Sequence, residues 1–507
     1  MGSSPLTASI HVLDDDSLLN VFYIYRPFLL GEDDYHDDDR LVGGLGRWGR
    51  GRWWYNLAHV CRRWRNVVLG SASYLGISLV CTNGTPVADM LEHSPPLPLL
   101  IDYTFYAYRN DSNEDITAKD KEGAILALMQ RDRVRRIRIR MPVTSLQKLT
   151  VAMDDGYPIL EHLIIMRMPL VDDWSPISTF PETFQGPHLR HLALQGFTLP
   201  IKSRLLPTVV GLVTLCLDMV DPSTYLHPNI LLQWFSFVPQ LETLRITFAS
   251  AIPLAIPNDT ERHLTPVPVM TPVILSNLHN FTFRGVNTYL ETLIHRIKAP
   301  RLGKLQIRFF DLLPFSVPCL LQFMTATENL RFTSAEFEFS AGTGNIEVYP
   351  YEGAEMYALS IIVDCGHFDR QVSFVAQICN SLSPLFSAVE HLTLEHKAHS
   401  QSSEQHEADR TEWHKLLASF RNAKTLHIAH GLVRELSRCL EFNDEGLPLE
   451  LLPELQELTY FGIGNPGDIL TSFIDSRQEE GRPITLVRRS PSPDWSSSVP
   501  SSEQPSI

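Results

Sequence analysis

The sequence predicts an α/β protein: a small all-α module at the N-terminus, then an irregular leucine-rich solenoid with a parallel sheet on its concave face and helices on its convex face. Three observations predict it. Two short amphipathic patterns lie within the first 75 residues. The pattern apolar-x-x-apolar-x-apolar then recurs many times, and helix-like segments fall between the copies.

The helical module is predicted over residues 1–75. Leu18, Val21, Phe22 and Tyr25 recur at helical spacing after the run Asp14, Asp15, Asp16, Ser17, which suits an N-cap and the positive end of the helix dipole; Pro27 is a plausible stop. A second helix is predicted in "LAHVCRRWRNVVLGS", where Leu57, Val60, Cys61 and Trp64 share a face. Residues 31–52 between them are acidic and then rich in Gly, Arg and Trp, and read as a flexible insertion.

Residues 76–489 carry the repeat. Clear copies start at Val134, Leu160, Leu189, Leu212, Leu241, Leu278, Leu302, Val389 and Leu455, and looser ones at Ser334, Ala358 and Ala423. The last two apolar positions of each copy are two residues apart and therefore share one face of a strand. One strand and one helix cannot bury that face alone, whereas stacked units make a continuous core. "NILLQWFSFV" and "VSFVAQICNSL" are predicted helices between copies; 252–272 and 397–410 are predicted loops; 490–507 is a Ser/Pro-rich tail predicted to be disordered.

Composition bounds the function. Hydrophobic residues are 44% and charged residues 20% of 507, enough for a sizeable core. A net charge of −15 argues against a general nucleic-acid binder. The seven cysteines are scattered with no C-x-x-C, which fits reduced thiols in the cytoplasm or nucleus. The first residues do not read as a secretory signal, Leu6 breaks the myristoylation pattern, and no stretch nears the ~20 apolar residues of a membrane span, so no membrane partner is expected.

Catalytic and metal chemistry find little support. Cys61 beside His59 reads as an inert, buried thiol, not a nucleophile or ligand. His391, His396 and His399 straddle a strand end and a polar loop, a poor zinc arrangement. "CTNGTPVADM" is a turn and not a phosphate loop, and no G-x-S-x-G occurs. No enzyme, cofactor or metal is expected, and a hydrolase on an α/β scaffold is disfavoured.

Charge on the strands points instead to binding. The positions that alternate with the apolar ones include Arg136, Arg138, Arg140, His162, His191, Arg245, Arg284, Lys304 and Arg308, against Asp218. Further on they include Glu336, Glu338, Asp364, Glu395 and Glu457, with no Lys or Arg. This is either a solvated face or a bipolar groove whose basic half suits an acidic or phosphorylated target segment.

"VLDDDSLLNVFYIYRP" followed by "NLAHVCRRWRNVVLGS" resembles the F-box motif, and the remainder resembles the leucine-rich-repeat F-box proteins expanded in basidiomycete fungi. "SYLGISLVCTNGTPVADMLEHSPPLPLLIDY", "VSFVAQICNSLSPLFSAVEHLTL" and "FIDSRQEEGRPITLV" carry that second resemblance. The resemblance implies a substrate-recognition subunit of a Skp–cullin–F-box ubiquitin ligase. It implies that the F-box binds a Skp-type adaptor, and through it a cullin–RING ligase, while the repeats bind a protein target. Leu13, Leu18, Val21, Phe22, Leu57, Val60, Cys61 and Trp64 would then be divided between the module's core and the adaptor interface. Two departures, Asp14 where the family has proline and the insertion 31–52, motivate an alternative: a stand-alone leucine-rich interaction scaffold.

Overall fold

Asp14 starts the first helix. Its Oδ1 accepts a 2.6 Å hydrogen bond from the Ser17 backbone N–H, and helix α1 follows over Asp15–Tyr25. Helices α2 and α3 span Trp53–Ala58 and Arg62–Gly70. The computed structural model describes residues 12–26, 52–104, 117–167, 178–200, 202–220, 226, 228–249, 271–310, 317–327, 329–354, 356–397, 409–440, 451–461 and 467–489. The predicted insertion (apart from residue 52), most of the two predicted loops and the predicted tail lie outside them. The chain groups into two units, Met1–Leu212 and Val213–Ile507.

In the first unit, strands β1 (Leu79–Thr82), β2 (Leu99–Thr104), β3 (Val134–Met141), β4 (His162–Arg167) and β5 (His191–Gln195) lie side by side in chain order, all parallel. Helices α4 (Val87–His93), α5 (Ala118–Leu128) and α6 (Val143–Ala152) connect successive strands. Helix α5 begins with a reciprocal cap between Thr117 and Asp120, and Asp120 also accepts from the Gly84 N–H at 2.7 Å. Ile137, Ile139, Leu163, Ile165, Leu192 and Leu194 form one buried face of the sheet. Trp54 ties α2 to this core by donating from its indole nitrogen to the Ser78 carbonyl at 3.2 Å.

The second unit continues the pattern with one interruption. Strands β6 (Thr214–Val220), β7 (Thr243–Phe248), β8 (Asn280–Gly285) and β9 (Lys304–Phe310) are parallel neighbours. Helices α7 (Pro228–Phe235), α8 (Asn287–Ile294) and α9 (Pro318–Thr325) follow β6, β8 and β9. The chain then makes a meander, β10 (Ser334–Ser340), β11 (Thr343–Tyr349) and β12 (Leu359–Asp364), laid down in reverse order. β12 pairs parallel with β9, β11 runs antiparallel between β12 and β10, and β10 pairs parallel with β13 (His391–Lys397). Helix α10 (Phe368–Ser381) leads from β12 to β13. Parallel strands β14 (Thr425–Ile428), β15 (Glu457–Phe461) and β16 (Thr485–Arg489) complete the sheet. Helices α11 (Arg410–Leu417), α12 (His430–Leu440) and α13 (Gly467–Glu479) precede them in turn.

The repeated sequence pattern has a repeated cause. The backbone N–H of the leading apolar residue bonds the carbonyl three residues earlier at Leu160, Leu189, Leu241, Leu278, Leu302, Val389, Ala423 and Leu455. That tight turn aims the leading residue at the core, where all eight are buried. The next residue joins the neighbouring unit: Lys424 N–H reaches the Glu390 carbonyl at 2.7 Å, and Gln456 N–H reaches that of Lys424 at 2.8 Å. Gly285 ends β8 where side chains crowd closest; a Cβ there would lie 2.7 Å from the Phe283 ring and 2.9 Å from that of Phe248.

The turn into β15 is held differently. Leu452 is left-handed at φ 49° and buried, a conformation that costs a non-glycine residue about 1 kcal/mol or more. Arg477 of α13, fully buried, donates from Nη2 to the Pro453 and Leu455 carbonyls at 3.1 and 3.2 Å and clamps that turn.

Candidate functional site

The N-terminal helices divide their apolar residues in two. Leu18, Phe22 and Leu57 are buried, and Phe22 meets Trp64 edge to face with ring centroids 4.8 Å apart. Cys61 caps α3, its Sγ accepting from the Trp64 N–H at 3.5 Å. Leu13, Cys61 and Trp64 are half-buried. Arg63 ties α3 to the start of α1, donating to the Leu13 carbonyl at 2.6 Å and pairing with Asp15 at 2.7 Å. On the outside, Val21 is 43% exposed, Val60 59% and Ile24 81%. Tyr25 is exposed as well. With Val12, Tyr23 and Tyr74 they make seven exposed large apolar side chains among the described residues of this segment.

In the first unit, the face of the sheet opposite the apolar core carries the predicted basic residues. Arg136, Arg138 and Arg140 alternate along β3 and oppose Leu100, Asp102 and Thr104 on β2, and His162, Ile164 and Met166 on β4. Arg136 donates from Nη2 to His162 Nε2 at 3.1 Å, because a guanidinium has no acceptor. The His162 and His191 rings stack 4.3 Å apart. His162, expected among the basic side chains, is only 4% exposed and uncharged: burial, then Arg136 and His191, push it down to about 2. Asp102 is a residue that sequence reasoning missed. Only 5% exposed, it accepts from the Thr104 hydroxyl at 2.7 Å, and burial pushes its carboxyl up to about 6 against the pull of Arg138. A lone Asp in the apolar run "LLIDYT" was its signal.

In the second unit the expected cations are largely neutralised in place. Arg245 lies 3.7 Å from Asp218. Arg308 forks onto Asp364 and Arg284 reaches the same carboxylate at 3.6 Å. Arg284 also lies over the Phe310 ring, and Lys304 sits 4.5 Å from the Tyr357 ring centroid. Asp364, expected within an acidic half, thus serves the basic strands, since the meander seats β12 beside β9.

The carboxylates gather on the strands beyond. Glu336 opposes Glu347, and Glu338 opposes Glu395. Glu347, missed because β11 carries no leading apolar residue, accepts from the Tyr349 hydroxyl at 2.6 Å and the Asn345 amide at 3.1 Å. Burial, then Glu395 and Glu347, push Glu336 up to about 7. The expectation of an all-acidic stretch is corrected by Lys397, which shares the face at the end of β13 and binds Glu338 at 2.9 Å.

The histidines do not converge. His391 and His396 point to opposite faces of β13, the first toward the Thr425 hydroxyl at 2.9 Å and the second against the Phe368 ring; His399 lies outside the described residues. Among the described residues no group of His, Cys, Asp and Glu forms a metal site, and no helix is long and apolar enough to cross a membrane. All seven cysteines are free thiols. Compared with known proteins, the chain matches no family model and no curated protein.

Proposed function

We propose that this chain is the substrate-recognition subunit of a Skp–cullin–F-box type ubiquitin ligase, with its N-terminal helices docking a Skp-type adaptor and its leucine-rich strands holding a protein target. The observation that carries the reading is the split in the helical segment. Leu18, Phe22 and Leu57 supply a minimal core while Val21, Ile24, Tyr25 and Val60 remain outside it. Covering those side chains with a partner removes apolar area from water, at roughly 25 cal/mol per Å². The repeated strand units support the second half of the reading, because stacked units offer an extended face to a target.

Such a subunit does no bond chemistry. It converts an encounter between target lysines and the charged conjugating enzyme into an effectively intramolecular one. Asp14, in the place of the family's proline, is compatible with this reading: its side-chain cap starts α1 without proline.

The test is calorimetric titration of the full chain with a purified Skp-type adaptor, repeated on a Val21→Asp, Val60→Asp double variant. Binding by the wild type and its loss in the variant are expected. Absence of binding by the wild type would replace this reading with the stand-alone interaction scaffold, which the residue at position 14 and the insertion at 31–52 favour.

A further inference from the structure

Arg138 and Arg140 differ from the sheet-face arginines of the second unit in one respect. Arg245, Arg284 and Arg308 each have a carboxylate on a neighbouring strand. Arg138 and Arg140 form no hydrogen bond or ion pair with any described residue, and the Nε of Arg140 is buried without a partner. Arg136 donates one N–H to the His162 imidazole. Among the described residues that oppose Arg138 and Arg140 on the two flanking strands there is one carboxylate, Asp102, which is nearly out of solvent. Like charges this close repel unless an anion lies among them.

Their spacing says which anion. Alternate residues of a strand stand about 6.6 Å apart, so Arg136, Arg138 and Arg140 form a straight row of single charges at that interval. A phosphate dianion asks for two or more guanidiniums converging on one point. An extended peptide with a carboxylate at every second residue has the same interval as the row and one charge per arginine. We propose that the face of β3 carrying Arg136, Arg138 and Arg140 takes an extended target segment whose carboxylates recur at every second residue. This inference rests on the target-binding role given above to the strands, and it names the chemistry and register of the target.

The test uses the full chain and fluorescein-labelled synthetic peptides read by fluorescence anisotropy. One peptide alternates Glu with Thr, one has the same composition with the glutamates in a block, and one alternates Thr with Ser around a single phosphoserine. The alternating glutamate peptide is expected to bind most tightly. Arg138→Gln with Arg140→Gln should weaken it about tenfold or more, while Arg138→Lys with Arg140→Lys keeps much of the affinity and Arg421→Gln, at an exposed turn position off the sheet, leaves it unchanged. Added salt should weaken the wild-type complex, a measurement that needs no variant and holds even if the glutamine variant fails to fold. The inference is overturned by no binding, by equal binding of the block peptide, by tighter binding of the phosphoserine peptide, or by a folded glutamine variant of undiminished affinity. Adaptor titration reads the ligase proposal separately. A chain that binds the alternating peptide and no adaptor keeps this inference and loses that one, and a chain that binds the adaptor alone does the reverse.

Discussion

Arg308 and Asp364 form a forked ion pair, with contacts of 2.7 to 3.1 Å, between residues 56 positions apart in the chain. Arg284 leans on the same carboxylate. Asp364→Asn removes the charge that two guanidiniums share and leaves them facing each other. The expected outcome is a loss of roughly 1–3 kcal/mol in urea unfolding, at the lower end because the pair is partly exposed. An Arg308→Met, Asp364→Leu double variant should recover part of the loss, since one guanidinium leaves with the carboxylate and only Arg284 is left without it.

The Phe22–Trp64 contact joins α1 to α3. Phe22→Ala empties a fully buried site and should cost about 3–5 kcal/mol locally, with a smaller cost for the half-buried Trp64. Because strand units are held mainly by their neighbours, backbone amides of β13 and β14 should keep their hydrogen-exchange protection in both variants. Loss of protection there would show that the helical segment and the distant strands unfold together.

Glu336 makes stability depend on pH. Its folded value of about 7 lies above the ordinary value of about 4.3, so the native state holds this proton more tightly than the unfolded chain does. The group's contribution is therefore fully favourable below about pH 4.3, is lost as pH rises toward 7, and stays lost above it. Glu336→Gln should remove that slope and raise stability at pH 8 by about 1–2 kcal/mol, a figure reduced for the partial exposure of the patch. Melting temperatures of both proteins across pH 5 to 8 check it.

Much of this fold was legible in the sequence because burial leaves a periodic trace. The run Asp14 to Ser17 marked the capped end of α1, which begins inside that run at Asp15, and the clear repeat copies place their apolar triplets in the core. Two kinds of error have physical causes. The copy assigned to Ser334 is out of frame, because the buried triplet is Phe332, Ala335 and Phe337; a further buried phenylalanine, Phe339, blurred the period. β1, β2, β11 and β16 went unrecognised because they lack the full leading pattern. The site was less legible. Alternation put Arg136, Arg138 and Arg140 on one face, but which cation meets which carboxylate depends on strand order, and Asp364 changes neighbours through a reversal that no local pattern encodes.

Arg477 carries a structural load that composition hides. With Arg477→Ala, the Pro453 and Leu455 carbonyls lose their donor, a cavity opens, and the left-handed Leu452 loses its clamp. A cost of about 3–5 kcal/mol is expected, confined to β15, α13 and β16 and visible as lost hydrogen-exchange protection there.

The reversed meander sets a problem of timing during synthesis. When β9 leaves the ribosome its lasting neighbour, β12, does not yet exist, since residues 311–358 must follow first. At about 5–20 residues per second this leaves an open edge for roughly 2–10 s. β10 arrives in that interval with nearly the same apolar pattern as any other unit, and the vacant seat beside β9 suits it. A nascent chain in which residues up to 345 have cleared the ribosome is expected to pair β9 with β10 directly, and the finished chain has to exchange that partner for β12. Refolding of the full chain should accordingly show a slow phase, and in a chain truncated after residue 345 Phe337→Pro should remove the hydrogen-exchange protection that the β9–β10 pairing gives β9.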